Sequence, residues 1–173
     1  AFGMTRSPAR KWPWFLLSFL GAALALVFLM VLLEPVDEAD AAAPQFVEQR
    51  VKAEAGDAVA RFKMAGFYAR GEGVAQDLVE AARWLKLAAE QGYAPAQNNL
   101  AVCYSTGAGV AKDQGKAIEW IRKSAEQGYA RAQCYLGLSY AKGEGLPRDQ
   151  AQALEWFRKS AGQGFPDALN HLG

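Results

Sequence analysis

Residues 94–129 read APAQNNLAVCYSTGAGVAKDQGKAIEWIRKSAEQGY, and the same arrangement stands 36 residues upstream and 36 residues downstream. Trp84, Trp120 and Trp156 keep that spacing, as do Gly92, Gly128 and Gly164, and Tyr68, Tyr104 and Tyr140. So do Gly71, Gly107 and Gly143, then Gly73, Gly109 and Gly145, and Asp77, Asp113 and Asp149. Chance does not readily align so many rare residue types. The chain therefore carries a tandem array, and a fixed period of this length signals a stacked solenoid.

Within the quoted unit, Ala94, Ala96, Leu100, Ala101 and Tyr104 recur near helical spacing. They predict a first helix, A, with one buried stripe, ending before Thr106. Gly107 and Gly109 supply positive-φ backbone for a tight reversal, so the next helix runs back against the first. Asp113 caps that second helix, B, by accepting from its free N–H groups, while Asp77 with Glu80 and Asp149 with Gln152 have the spacing of a reciprocal capping box. Helix B puts Ala117, Ile118, Trp120, Ile121 and Ala125 inward and Glu119, Arg122, Lys123 and Glu126 outward. It stops at Gly128, and Pro95 and Pro166 suit the first turn of a following helix A. The repeated Trp, Tyr, Gly and Asp residues are thereby assigned to folding.

These motifs resemble the SEL-1-like repeat, a relative of the tetratricopeptide repeat. Residues 132–165, AQCYLGLSYAKGEGLPRDQAQALEWFRKSAGQGF, follow the family pattern of Leu-Gly, Tyr, Gly-x-Gly, Asp, Ala, Trp and terminal Gly; residues 60–93 keep most of it. The resemblance covers residues 58–165. Met64-Ala65 and Leu100-Ala101 stand where Leu136-Gly137 shows the Leu-Gly pair. It implies an all-α fold, an α/α superhelical solenoid of three helix-pair repeats at 57–93, 94–129 and 130–165. Residues 45–56 read as a degenerate helix B capping the front. Residues 166–173 begin a fourth helix A, as a short cap or as a partial further repeat.

Upstream, residues 12–33 (WPWFLLSFLGAALALVFLMVLL) carry no charge. At ~1.5 Å per residue, Phe15 to Leu33 would span ~29 Å, close to the ~30 Å of a bilayer's hydrocarbon layer. A single transmembrane helix is the expectation. A cleaved signal has a shorter apolar stretch, ~7–15 residues, although Ala39, Ala41 and Ala43 offer small-x-small cleavage patterns beyond it. Arg6, Arg10 and Lys11 precede the span and no Lys or Arg follows until Arg50, which puts the tail 1–11 in the cytoplasm and the repeats outside. In a bacterium that is the inner membrane and the periplasm. Residues 34–44 form an acidic linker.

Chemistry has little to work with. Lys plus Arg number 19 against 18 Asp plus Glu, so no net field draws in nucleic acid. His171 is the only histidine, which denies the chain an imidazole metal cluster or a Ser-His-Asp arrangement with spare parts. The Gly-x-Gly pairs lack a following Lys-Ser/Thr and belong to turns. No cofactor, metal or small-molecule substrate is expected, and no catalytic residue. Cys103 and Cys134 fall at different positions of neighbouring units and read as two small, partly buried thiols. Secreted family members that bridge paired helices place their cysteines regularly, a placement absent here.

What fails to repeat then carries function. Counting from the first Ala of each unit, positions two, five, six and nine lie on one face of helix A and vary. They are Val59, Phe62, Lys63 and Gly66; Pro95, Asn98, Asn99 and Val102; and Arg131, Cys134, Tyr135 and Leu138. Phe62, Lys63, Asn98, Asn99, Val102, Arg131, Tyr135 and Leu138 are the candidate partner-binding residues, with Phe62 and Tyr135 as anchors and Asn98 and Asn99 bonding a partner's backbone. The expected role is a non-enzymatic, membrane-anchored scaffold for protein partners, in keeping with the family resemblance. The alternative is an accessory or assembly subunit of an inner-membrane complex, docked through the small-residue face Gly21, Ala22 and Ala25 of the span. Heme handling or an envelope-modifying activity, known in a few relatives, finds the least support.

Overall fold

The structure, a computed structural model, describes residues 44–172. The expected transmembrane helix at 12–33, with Gly21, Ala22 and Ala25, lies outside the described residues. Among the described residues no helix is long and apolar enough to cross a membrane. Eight helices are described there, and no strand: α1 Pro44–Glu54, α2 Ala58–Arg70, α3 Leu78–Glu90, α4 Ala94–Thr106, α5 Gln114–Glu126, α6 Ala130–Lys142, α7 Gln150–Ala161 and α8 Pro166–Asn170. Consecutive helices pack against each other along the whole described run. The A helices are α2, α4 and α6; their B partners are α3, α5 and α7. The A helix of the middle unit runs through Thr106, slightly past its expected end.

The reversal inside each unit rests on glycine. Gly71, Gly107 and Gly143 adopt left-handed backbone at the ends of the A helices and donate to Phe67, Cys103 and Ser139, each at 2.8 Å. The second glycine answers a different need. A Cβ on Gly109 would sit 1.9 Å from the carbonyl oxygen of Leu78, because this turn presses on the first residue of the preceding B helix. Only a residue without a side chain permits that approach.

Asp77, Asp113 and Asp149 cap the B helices, Asp77 Oδ1 accepting from Val79 and Glu80 at 2.8 and 3.0 Å. The Lys116 backbone N–H holds the Asp113 carboxyl below its usual range. The reciprocal half of the expected capping box does not form. The backbone N–H groups of Asp77, Asp113 and Asp149 donate to the carbonyls of Tyr68, Tyr104 and Tyr140 at 2.9, 2.9 and 3.0 Å. Glu80, left without that donor, pairs with Arg83. The bond from cap to Tyr carbonyl crosses the turn and ties the start of helix B to the end of helix A.

Small residues fill the interior. Ala101 of α4 packs with Ile118, Ile121 and Ala125 of α5, while Ala96 and Leu100 belong to the cluster of Trp84, Leu85, Ala88 and Ala89 of α3, all buried. Trp84 is buried with its indole N–H unpartnered, whereas Trp120 and Trp156 are half-buried under Lys123 and Lys159, whose ammonium groups lie 4.3 and 4.2 Å from the ring centroids. At the front, Phe46 of α1 packs edge-on against Phe67 and Tyr68. At the rear, His171 stacks on Phe157 at 4.8 Å.

Polar bonds tie helix B to helix A inside a unit, through serine and the glutamine pairs, and tie each unit to the one before it, through Gln97, Gln133 and Arg61. Ser124 Oγ donates to the Ala94 carbonyl and Ser160 Oγ to that of Ala130, both at 2.7 Å. Gln97 and Gln133, both buried, donate to the carbonyls of Ala89 and Ala125 at 3.1 and 3.2 Å. Their side-chain oxygens accept from Gln127 and Gln163 at 2.7 and 2.8 Å. Arg61 takes the same place in the first unit, donating to Ala53 of α1 at 3.1 Å. Since a buried polar atom left unpaired costs about 1–3 kcal/mol, this ladder fixes how the units stack as well as holding them together.

Candidate functional site: the A-helix concavity

Stacking the A helices side by side opens a hollow of about 540 Å³. Phe62, Lys63, Asn98, Asn99, Val102, Arg131 and Tyr135, candidates from three different helices, all line it. Leu138 lies in an adjoining hollow of about 310 Å³ that shares Val102 and Tyr135 with the first. The two hollows thus form one trough across α2, α4 and α6, with Val102 and Tyr135 between them. These two side chains are 40% and 38% exposed, leaving apolar surface open to the trough.

Position five departs from expectation. Asn98 and Cys134 are each 1% exposed, so neither lies on a free face. The residue at this position turns toward the neighbouring helices; Phe62, its counterpart in the first unit, packs edge-on against Tyr93 at 5.4 Å. Asn98 still borders the hollow. Its Nδ2 donates to Asn99 Oδ1 at 3.1 Å, and its own Oδ1 is buried with no donor. A buried acceptor without a donor is a rarity in a folded protein and needs an explanation.

Further lining residues escaped the reading of a single helical stripe. Phe67 and Arg70 come from the end of α2, Leu78 and Leu85 from α3, and Cys103 from α4. Phe67 and Arg70 follow Lys63 and Gly66 by four residues, the spacing that keeps them on one face of α2, and this was the available signal. The α3 residues had none, since a helical stripe says nothing about which other helix closes the hollow. Gly66 sits mid-helix, where glycine costs roughly 1 kcal/mol relative to alanine. The Arg70 guanidinium nitrogens lie 3.1 Å from where a Cβ on Gly66 would be, so the bare backbone leaves room for the arginine beside it.

Reactive groups are muted. Cys103 is half-buried and Cys134 buried, and both are free thiols. Burial raises both thiol pKa values, that of Cys134 to about 11 with a lesser contribution from Asp167, so neither is poised as a nucleophile. Among the described residues no three His, Cys, Asp or Glu side chains gather as a metal site.

Known proteins share this arrangement. A model of the Sel1 repeat family matches residues 58–93, 94–129 and 130–165, more than half of the chain. A Sel1 repeat protein from Oxalobacter formigenes is 38% identical, with a TM-score of 0.68 over 73% of this chain and 95% of that one. The protective antigen c5321 of uropathogenic Escherichia coli, which displays an SLR fold, is 39% identical with a TM-score of 0.67, over 69% of this chain but 26% of the antigen. Helicobacter pylori cysteine rich protein B, 21% identical with a TM-score of 0.56, shares the fold. None of the curated proteins compared matches the chain. Sel1 repeats are generally non-enzymatic units that mediate protein–protein interaction. Three helix-pair repeats, their capped glycine turns and the matching relatives make this chain a member of the Sel1 repeat family.

Proposed function

We propose that this protein is a scaffold that grips a segment of a protein partner in the trough formed by α2, α4 and α6. The observation that carries this reading is the meeting of seven candidate residues from three helices in one hollow, among them Asn98, whose buried Oδ1 has no donor. A buried acceptor of this kind fits a donor brought by a ligand, and a peptide N–H is the donor every protein segment has. Phe62 and Tyr135 flank it as apolar anchors, where burial of aromatic surface yields most of an interface's energy.

The uncharged run at 12–33 and the positive residues before it support a tether in the bacterial inner membrane, with the N-terminus cytoplasmic and the repeats periplasmic. Under this reading the partner is a membrane or periplasmic protein. Protease added to spheroplasts tests the orientation: the repeat domain is expected to be digested from outside, and protection until the membrane is lysed would overturn the assignment.

The docking reading is tested by changing Asn98, Asn99 and Tyr135 together in the full chain and capturing partners from native membranes. Recovery of the stoichiometric partner is expected to fall at least about ten-fold, the effect of losing a little over 1.4 kcal/mol. Unchanged recovery would move the contact away from the trough.

A further inference from the structure

We infer that the segment held in the trough is extended and acidic, with two internal Asp or Glu residues bracketing an apolar one. This rests on the docking reading above and names the partner's chemistry. The charges lining the main hollow are of one sign: Lys63 and Arg70 on α2 and Arg131 on α6, with no carboxylate among the described lining residues. The chain as a whole is almost neutral, and the outward faces of the B helices mix signs freely. The single sign is therefore local to the main hollow, while the adjoining one is bordered by Glu144, paired with Lys142 at 3.7 Å. Arg70 is already engaged, donating to Glu72 from Nε and Nη2. Lys63 and Arg131 are exposed, and among the described residues neither has a carboxylate within ion-pairing distance.

The placement of these two cations selects the form of the ligand. They stand on helices two steps apart, roughly 20 Å between axes for packed helices, a separation no single carboxylate can bridge. An extended strand advances ~3.3 Å per residue, so acids roughly four to six residues apart reach both once the length of the Lys and Arg side chains is allowed for. Between them the strand crosses α4, where the exposed Val102 and, from α6, Tyr135 receive an apolar side chain. Because both cations are exposed, the attraction weakens with salt and mainly selects the partner.

The test selects binders to the full-length chain in detergent micelles from a displayed library of random 12-residue peptides. Chosen sequences are then titrated as C-terminally amidated, fluorescein-labelled peptides by anisotropy. The expected result is enrichment of paired Asp or Glu four to six residues apart. Affinity should also fall roughly ten-fold or more in the Lys63→Glu/Arg131→Glu variant, with recovery when the peptide's acids are replaced by Lys. Peptides that bind in a Tyr135-dependent way without acid enrichment and ignore the charge reversal would overturn the acidic assignment and leave the docking reading standing. A requirement for the free terminal carboxylate would overturn the two-acid geometry. Absence of any peptide whose binding responds to Tyr135→Ala would overturn both readings. Circular dichroism of each variant checks that the exposed substitutions leave the helices intact.

Discussion

Gln127 Nε2 donates to Gln97 Oε1 at 2.7 Å, and Gln97 Nε2 donates onward to the Ala89 carbonyl at 3.1 Å, so one buried amide links α5, α4 and α3. Its place recurs at Gln133 in the next unit. Gln97→Ala removes the donor to a carbonyl within the stack and leaves a void. It is expected to destabilise the chain by about 2 kcal/mol in urea unfolding, against about 1 kcal/mol or less for Gln127→Ala, whose freed partners are reached by water more easily. Equal losses would place the energy in the bond itself and not in the burial of Gln97.

Two glycines with the same backbone conformation make a sharper comparison. Gly109 and Gly128 have φ of 72° and 88°, but a Cβ at Gly109 would strike Leu78 while at Gly128 it meets nothing within 4 Å. Gly128→Ala therefore bears only the left-handed backbone penalty, about 1–2 kcal/mol. Gly109→Ala must also push the turn off α3, and a loss above about 3 kcal/mol is expected. Thermal melts of the two variants check the order.

Asn98 joins stability to function. Asn98→Leu removes an unpartnered acceptor and fills nearly the same volume, so a gain of about 1 kcal/mol in unfolding free energy is expected, together with weaker partner binding. A variant that is both less stable and fully binding would show that the amide serves only the fold.

The thiols report on pH. The Cys134 pKa is raised from 9.0 to about 11, chiefly by burial, so the folded state holds the proton that the unfolded state releases first. The linked stability is fully present below pH ~9 and is lost as pH rises through the folded value. Iodoacetamide at pH 8 should label Cys103 slowly and Cys134 scarcely at all until urea is added, and Cys134→Ser should flatten the alkaline fall in stability.

Much of this was legible in order along the chain. The helices, their aspartate caps and the glycine stops follow from local causes, namely apolar spacing, a side chain reaching its own helix's N–H groups, and backbone that only glycine adopts cheaply. Tyr68 and Asp77 mark the limit of such reasoning. Both were visible as repeating positions, yet the bond between the Tyr carbonyl and the Asp N–H, which displaces the capping box, exists only once the turn has brought the two together.

The candidate trough divides the same way. Variation against a constant frame was enough to pick out residues from three helices that meet in one hollow. Their exposure was not readable, because whether position five faces water or a neighbouring helix depends on how closely the helices stack, and Cys134 packs with Ala153, Phe157 and Ala168 from later helices. The bonds from Gln97 and Gln133 to the unit before and the single sign of charge in the main hollow were likewise settled by packing between units. Periodicity describes one helix at a time, and each of these features is a relation between several.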